Sequence, residues 1–213
     1  MNRFRTVLAA ASLLALTIAP ALAAPEVYSI DQNHSQIGFT IRHFVSRVPG
    51  HFGAFSGEIT VDKDDPKASK VSAEIETKSI DTATAKRDDH LRSADFFDAE
   101  KFPKINFVSK SVTSTGKDKT KLLGDLTMHG VTKPVSLDVT WLGFSGPKAG
   151  FEARTTVNRK DFGIVWNKAL DAGALMLGDE VDITLLVEAN NVEMMKKMQG
   201  PPKPPATPPK TDK

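Results

Sequence analysis

The sequence of 213 residues contains no cysteine, which excludes several kinds of chemistry at once. Without a thiol there is no disulfide framework, no thiolate metal site and no cysteine nucleophile. The five histidines stand at positions 34, 43, 51, 90 and 129, and none forms an H-x-H or H-x-x-x-H pattern. The sequence therefore predicts no metal site from neighbouring residues, and only a site assembled from distant strands stays open.

Motifs of common enzyme classes are absent as well. No G-x-S-x-G nucleophile elbow and no G-x-G-x-x-G phosphate loop occur. Residues 53–57 and 143–146 contain similar glycines and a serine, but their spacing differs from that of the elbow. We therefore assign no catalytic residue, expect no metal or classical cofactor, and predict that the protein is not an enzyme.

An excess of basic residues is lacking in the central part of the chain. The two arginines of residues 1–23 and the five lysines and one aspartate of residues 196–213 lie outside it, and residues 24–195 then hold 21 bases and 25 acids. Nucleic-acid binding domains carry a basic footprint. The charge balance therefore predicts no nucleic-acid partner.

Residues 1–23 are typical of a secretory signal peptide. Arg3 and Arg5 precede an apolar run over residues 6–18, and Ala21-Leu22-Ala23 fits the small-x-small cleavage pattern. The rival interpretation is an uncleaved anchor, but the run is shorter than the ~20 apolar residues that a spanning helix needs. We expect export to the periplasm with cleavage after Ala23 and a mature protein that does not span the membrane.

The C-terminal residues 193–213 are predicted to be a disordered tail rich in proline and lysine. Six of the fourteen residues from Gly200 to Lys213 are proline, and none is a large apolar residue. The alternative is a docking segment that transiently contacts an envelope protein or anionic lipid headgroups. Residues 24–192 remain as the folded domain.

That domain alternates apolar and polar residues with a period of two, which indicates strands with one buried face. The clear segments lie near residues 36–42, 71–76, 135–141 and 181–188, and weaker ones at 27–31, 52–62, 104–113, 121–129 and 150–158. Residues 129–132 fit a tight hairpin. Many one-sided strands with short turns predict an all-β antiparallel barrel or sandwich.

Two segments interrupt this alternation. Residues 82–98 are rich in helix formers and predict a short helix that Thr82 could cap. Residues 163–179 are apolar but contain three glycines, and predict a long apolar loop with one short helical piece. Loops of this length in a compact domain are usually functional.

Several strings of residues occur in a characteristic order along the chain. They include Asp31-Gln32-Asn33-His34-Ser35, Phe52-Gly53-Ala54-Phe55-Ser56-Gly57, the run from Arg87 to Asp98, the run from Gly124 to Val135, and Asn158-Arg159-Lys160-Asp161-Phe162-Gly163. Over residues 28–189 this series resembles the YceI family of periplasmic proteins. The resemblance implies an extended, lipocalin-like, eight-stranded antiparallel barrel around a tubular apolar cavity. It also implies binding of a long amphiphile, typically a polyisoprenoid such as a quinone tail.

The candidate lipid-binding residues fall into three groups. Inward strand positions supply Phe39, Ile41, Phe107, Leu126, Val139, Trp141 and Phe151. The irregular segments supply apolar residues at the barrel mouth, which either cap the core or line the entry for a ligand. They are Leu91, Phe96, Phe97, Phe162, Trp166, Leu175 and Met176. The polar candidates are His43, Arg87 and His90, of which Arg87 or His90 would donate to a quinone oxygen or a phosphate.

Each group also has a purely structural interpretation. The inward residues could fill a solid core, since an eight-stranded barrel is either filled by its own side chains or holds one small ligand. The charged residues around Arg87 could form structural ion pairs, with Asp88 facing Arg92. His43 could be a hydrogen-bonded structural residue at the end of its strand.

We therefore predict a periplasmic lipid-binding barrel that carries or stores a polyisoprenoid, with an isoprenoid quinone or polyprenyl lipid as its bound molecule. One alternative is an enzyme acting on a lipid. Another is a stress-related envelope interaction protein with a filled core. The partner expected is a lipid ligand, and both a monomer and a homodimer stay open.

The first prediction concerns processing. Protein purified from the periplasm is expected to begin at Ala24, because the residues before it carry the features of a cleaved signal. Intact-mass spectrometry measures this directly. A soluble periplasmic protein that retains residues 1–23 would contradict the prediction.

Overall fold

The structure is a computed structural model that describes residues 24–168 and 176–200. These residues form eleven strands and two α-helices. The strands are β1 (Glu26–Ile30), β2 (Gln36–His43), β3 (Ser46–Phe52), β4 (Phe55–Val61), β5 (Lys70–Glu76), β6 (Ile80–Asp81), β7 (Lys104–Ser114), β8 (Lys119–Met128), β9 (Val131–Ser145), β10 (Lys148–Asn158) and β11 (Leu177–Asn191). The helices are α1 (Ala85–Arg92) and α2 (Val192–Gln199), and neither is long and apolar enough to cross a bilayer.

Eight strands close into an antiparallel barrel in the order β1-β4-β5-β7-β8-β9-β10-β11, and the pairing of β11 with β1 completes the ring. Strand β11 is long enough to pair with two strands along the same edge. It pairs with β2 over Leu177–Leu186 and with β1 over Ala189–Asn191. Closure leaves no exposed sheet edge around the ring. The predicted eight-stranded antiparallel barrel is confirmed.

Strands β2, β3 and β6 extend the sheet beyond the ring, and β3 and β6 were not predicted. Strand β3 contains Pro49 and Gly50, which weaken the strand signal in the sequence. Strand β3 pairs with β2 along its whole length but with β6 only at His51 and Phe52. Pro49 therefore lies where the strand has a free side, which is where sheets tolerate proline.

The barrel has two distinct ends. The α1 end carries helix α1, strand β6, the β2–β3 hairpin and the segment 159–168, over an apolar cluster that includes Phe52, Ile80, Phe96, Ile105 and Phe162. The α2 end carries the β4–β5, β7–β8 and β9–β10 connections and helix α2, over a cluster of Tyr28, Ile59, Val61, Ala149 and Ala189.

The predicted hairpin after residue 128 is confirmed as a two-residue turn between β8 and β9. His129 and Gly130 both have positive φ, 52° and 75°, and Met128 pairs with Val131 across the turn. Two positive φ values suit the right-handed twist of the strands on either side. The His129 ring packs on Phe102, with its Nδ1 atom 3.1 Å from the carbonyl of Phe162.

Helix α2 differs from the prediction for the C-terminus. Residues 193–199 were expected to be disordered, yet they continue from β11 as a helix. The Asn191 side chain caps this helix by accepting a 3.0 Å hydrogen bond from the Met194 N–H. The predicted signal peptide over residues 1–23 and the proline-rich residues 201–213 lie outside the described residues.

The hairpin generates the second prediction. Gly130→Ala should lower the free energy of unfolding by ~1–3 kcal/mol, because the position strains an L side chain. A Cβ atom there would also lie 2.5 Å from Cε1 of Phe102. Gly116→Ala is the control, since its Cβ would meet its nearest neighbour at an ordinary 3.7 Å. Equal effects of the two variants in urea denaturation would contradict this account.

Candidate functional site

A cavity of about 1230 Å³ runs through the barrel. Ligand pockets in proteins typically measure ~300–1,000 Å³, so this cavity is large for a domain of this size. Its walls are inward positions of the strands, such as Ile59 on β4, Leu137 on β9 and Ile183 on β11. Most polar lining residues lie near the two rims, whereas Thr155 is an inward hydroxyl on β10 between Ala153 and Val157. The barrel is therefore not filled by its own side chains.

The rim at the α1 end is held by a network around Thr82. Asp88, on α1 and buried, accepts hydrogen bonds from the Thr82 backbone N–H at 2.9 Å and the Thr82 hydroxyl at 2.5 Å. Arg87 donates from Nε to the Thr82 hydroxyl and from a terminal nitrogen to the Thr82 carbonyl, both at 2.6 Å. These bonds fix α1 against the segment that precedes it. Thr82 acts through this network and not as the helix cap, which is Thr84.

The predicted pairing of Asp88 with Arg92 is wrong. Arg92 pairs with Asp89 at 3.1 Å, and it donates to the carbonyls of Lys78 at 2.8 Å and Ile80 at 2.7 Å. The Asp88 carboxylate instead accepts hydrogen bonds from Thr82. Arg92 therefore fastens α1 to the first residue of β6 and to the chain just before it.

His90 lies at the same rim and packs between aromatic rings. Its ring meets Phe96 and Trp166 edge-on, with centroid distances of 5.0 Å to each. Its Nε2 atom lies 2.8 Å from a carboxylate oxygen of Asp95. Trp166 and His90 both line the cavity, so the mouth at this end combines aromatic surface with polar atoms.

Arg159 is the buried cation behind this mouth, with only 3% of its surface exposed. It donates to the carbonyls of Gly178 at 2.9 Å, Ile164 at 2.7 Å and Trp166 at 2.8 Å. Burial lowers the pKa of its guanidinium, while the charge of Asp179 raises it. A guanidinium still stays charged in proteins. Arg159 thus fixes the segment that carries Trp166 to the start of β11.

At the α2 end the cavity is covered by aromatic rings. Phe144 packs edge-on against Trp141 at 4.4 Å and stacks on Tyr28 at 5.8 Å between centroids. The Lys63 ammonium lies 4.9 Å from the Phe144 ring centre and donates to Glu26 at 2.6 Å. This bond, and then the one from the Tyr28 hydroxyl, lowers the pKa of Glu26. Burial, and then the bond to Glu26, raises the pKa of Tyr28 to about 12.

A sequence profile of the YceI-like domain matches residues 28–189. The chain belongs to the YceI family. Protein YceI of Escherichia coli O157:H7 is 40% identical to it over 190 residues, which cover 83% of this chain and 96% of the relative.

Solved structures share the YceI barrel. BcnA of Burkholderia cenocepacia superposes with a TM-score of 0.70 at 24% identity, over 76% of this chain and 99% of that one. A polyisoprenoid binding domain from Saccharophagus degradans, implicated in plant cell wall breakdown, superposes with a TM-score of 0.61 at 15% identity. The match covers 77% of this chain and 98% of that domain. At these identities the two likenesses show a common fold.

Most residues singled out in the YceI-like sequence lie together on the cavity wall. They are Phe39, Ile41, His43, Arg87, His90, Leu91, Phe96, Phe97, Phe107, Leu126, Val139, Trp141, Phe151, Trp166 and Met176. Phe162 is placed elsewhere: it is 2% exposed and packs in the apolar cluster of the α1 end, outside the cavity lining. Leu175 lies outside the described residues.

Two residues at the site, Arg159 and Phe144, were not predicted as site residues, and two others, Thr82 and Asp88, were predicted in different roles. Arg159 appears above only within the motif from Asn158 to Gly163. Its position between a strand and a loop is the one sequence signal that could have suggested a buried charge. Thr82 was predicted as a helix cap and Asp88 as a partner of Arg92, because the bonds between Thr82 and Asp88 form only when the chain folds back. Phe144 was missed because it lies on the outward register of a regular strand, and a bulge changes that register.

Among the described residues, one group of side chains brings together atoms of the kinds that bind metal ions. Ligand atoms of Asp31, His34 and Glu188 lie within 4.8 Å of one another on the barrel surface. Glu188 is already paired with Lys148, and Asn190 donates to Asp31 at 3.1 Å. The bond with His34, and then that from Asn190, lowers the pKa of Asp31. These internal partners account for the cluster without an ion.

The third prediction tests the Arg159 clamp. Arg159→Met should lower the free energy of unfolding by about 2–4 kcal/mol, because three carbonyl groups lose a buried charged donor. Lys160→Met is the control, since Lys160 is exposed and makes one 2.9 Å ion pair with Asp179, a contact worth ~0–1 kcal/mol. Chemical denaturation followed by tryptophan fluorescence measures both. A smaller loss for Arg159→Met than for Lys160→Met would contradict the clamp.

Proposed function

We propose that the protein holds the tail of a polyisoprenoid, such as an isoprenoid quinone or polyprenyl lipid, inside the barrel as a periplasmic carrier or store. The observation that carries this proposal is the continuous apolar cavity of about 1230 Å³ with polar groups at its rims. Such a tube matches a molecule with a long apolar tail and a small polar head. The neighbour from Saccharophagus degradans, described as polyisoprenoid binding, supports the same ligand class.

Burial of the tail supplies the affinity. Each CH₂ group moved from water into an apolar site contributes ~0.8 kcal/mol, so a five-carbon isoprene unit contributes roughly 4 kcal/mol before costs. Ordering of the ligand and lost rotational freedom reduce this sum. A few buried units still suffice for a micromolar or tighter complex. Affinity should therefore follow tail length more than headgroup chemistry.

The headgroup is proposed to lie at the α1 end. Thr84, Lys86 and His90 line this rim and offer hydroxyl, ammonium and imidazole groups to an oxygen-rich head. Arg87 is less available than the sequence suggested, because its donors already bind Thr82 and Thr84. The rim therefore supports loose recognition of a carbonyl or phosphate oxygen.

The periplasmic setting rests on the sequence of residues 1–23. A lipid with a long isoprenoid tail is insoluble in water, so movement through an aqueous compartment requires a protein that encloses the tail. The closed barrel provides that enclosure.

An enzyme acting on a lipid is supported less well. The Thr82 hydroxyl and Asp88 carboxylate, 2.5 Å apart, resemble a nucleophile with a base. However, the same Asp88 oxygen also binds the Thr82 N–H, and Arg87 donates to the same hydroxyl. The pair has the bonding of a structural link, so we propose binding without catalysis.

The fourth prediction tests the cavity by filling it. Leu126→Trp and Val139→Phe add volume to inward positions of β8 and β9. In a filled core such overpacking costs ~1–3 kcal/mol. In a tube the new ring enters space that the lipid would occupy, so lipid-free stability should hold or rise while binding of a long-tailed isoprenoid falls at least tenfold.

Leu123→Trp is the matched control, because Leu123 lies on β8 but is 38% exposed on the outer face. It should leave both stability and lipid binding near the wild-type values. Thermal melts and a titration monitored by fluorescence decide the outcome. Loss of stability in both inward variants, with unchanged binding per folded molecule, would support the filled-core interaction protein instead.

A further inference from the structure

The cavity reaches the surface at both ends of the barrel. At the α1 end it is bordered by Lys86 and Thr84, which are exposed. At the α2 end it is bordered by Lys63, Lys117 and Asp118, which are exposed as well. The lining therefore extends from one end of the barrel to the other, with exposed charged residues at both.

A β-bulge shapes the cover at the α2 end. On β9, Trp141 pairs with Phe151 and Gly143 pairs with Gly150, so Leu142 is an extra residue without a partner on β10. An extra residue reverses the alternation of side chains beyond it. Phe144, opposite Ala149, therefore turns to the inner face and contacts Trp141. Leu142 is 63% exposed outside.

Phe144 is held more loosely than the residues of the opposite mouth. It is 42% exposed, and the glycines at 143 and 146 on either side have φ of 120° and 57°. A Cβ atom at either glycine would meet nothing within 4 Å, so open space surrounds this turn. At the α1 end, by contrast, Arg159 fixes the segment of Trp166 with three hydrogen bonds to carbonyls.

We propose that the α2 end is a second opening, and that the tail of an isoprenoid longer than the cavity passes Phe144 and leaves the barrel there. This inference rests on the proposed function and adds to it the way in which tail length is accommodated. The head stays at the fixed, polar α1 mouth. The tail end meets a single movable ring, so the barrel accepts tails of different lengths with one cavity.

The absence of cysteine makes the test direct, because one introduced thiol is unique. Lys117→Cys places an environment-sensitive fluorophore at the α2 opening. Ala85→Cys, exposed on α1 next to Lys86 but outside the cavity lining, places it at the α1 mouth. Lys110→Cys, exposed on the outside of β7, is the control for effects unrelated to the cavity. The ligands are isoprenoid quinones with the same ring and tails of increasing length.

The α1 label is expected to respond to every tail length that binds. The α2 label is expected to stay silent for short tails and to shift to a more apolar signal once the tail exceeds the cavity, while the Kd stays level beyond that length. A silent α2 label at all lengths, with Kd rising for the longest tails, would overturn the second opening. A silent α1 label at all lengths, with no measurable Kd, would overturn the proposed function itself.

Phe144→Ala provides an independent kinetic readout. Removal of the ring should speed release of a long-tailed quinone roughly two- to tenfold, the range that one aromatic contact predicts. Val108→Ala is the control, because Val108 is 56% exposed on the outer face of β7 and outside the cavity lining. Release rates follow from stopped-flow fluorescence. An unchanged rate in Phe144→Ala would contradict a tail path at this ring.

Discussion

Strand β11 pairs on one side with β10 and on the other with β2 and then β1, and this shared pairing closes the barrel. The rest of the structure depends on it. A strand of fifteen residues spans roughly 50 Å at ~3.3 Å per residue. An eight-stranded ring is just wide enough to be filled by its side chains or to hold one ligand. Here the inward side chains leave the space open, and the long strands β9 and β11 extend that space along the barrel.

The two ends of the tube are built from different interactions. At the α1 end, buried charges and hydrogen bonds fix the loops: Arg159 binds three carbonyls, and Asp88 binds Thr82. Buried charged groups of this kind cost free energy unless every bond is made, so they specify one arrangement. At the α2 end, Phe144 covers the cavity through ring contacts with Tyr28 and Trp141 and makes no hydrogen bond with its side chain. Because Phe144 is 42% exposed, it is more readily rearranged than the buried, hydrogen-bonded groups at the α1 end. This asymmetry is the basis on which we propose that the head lies at the α1 end and the tail at the α2 end.

Much of the fold could be predicted from alternation, because in a half-buried strand the side-chain period alone assigns residues to a face. Phe39, Phe107 and Trp141 were placed inward on this basis and do line the cavity. The turn at His129 and Gly130 was also predictable, since few short sequences suit its backbone.

The remaining features depend on contacts that a local pattern does not record. Strand β3 was missed because Pro49 and Gly50 oppose strand formation, and only its pairing with β2 compensates. Phe144 was missed because the bulge at Leu142 reverses the register in a way that the sequence does not reveal. Asp88 was given the wrong partner because Arg92 is near in the helix, whereas Thr82 is near only after the chain folds back.

The most direct test of the account is to identify what the native protein carries. Protein purified without detergent from cells that produce it natively would be extracted with organic solvent, and the extract analysed by mass spectrometry. The cavity predicts close to one molecule of a long-chain polyisoprenoid per barrel, strongly reduced in the Leu126→Trp variant. An extract with no lipid, or with equal lipid in both proteins, would contradict a lipid-holding barrel.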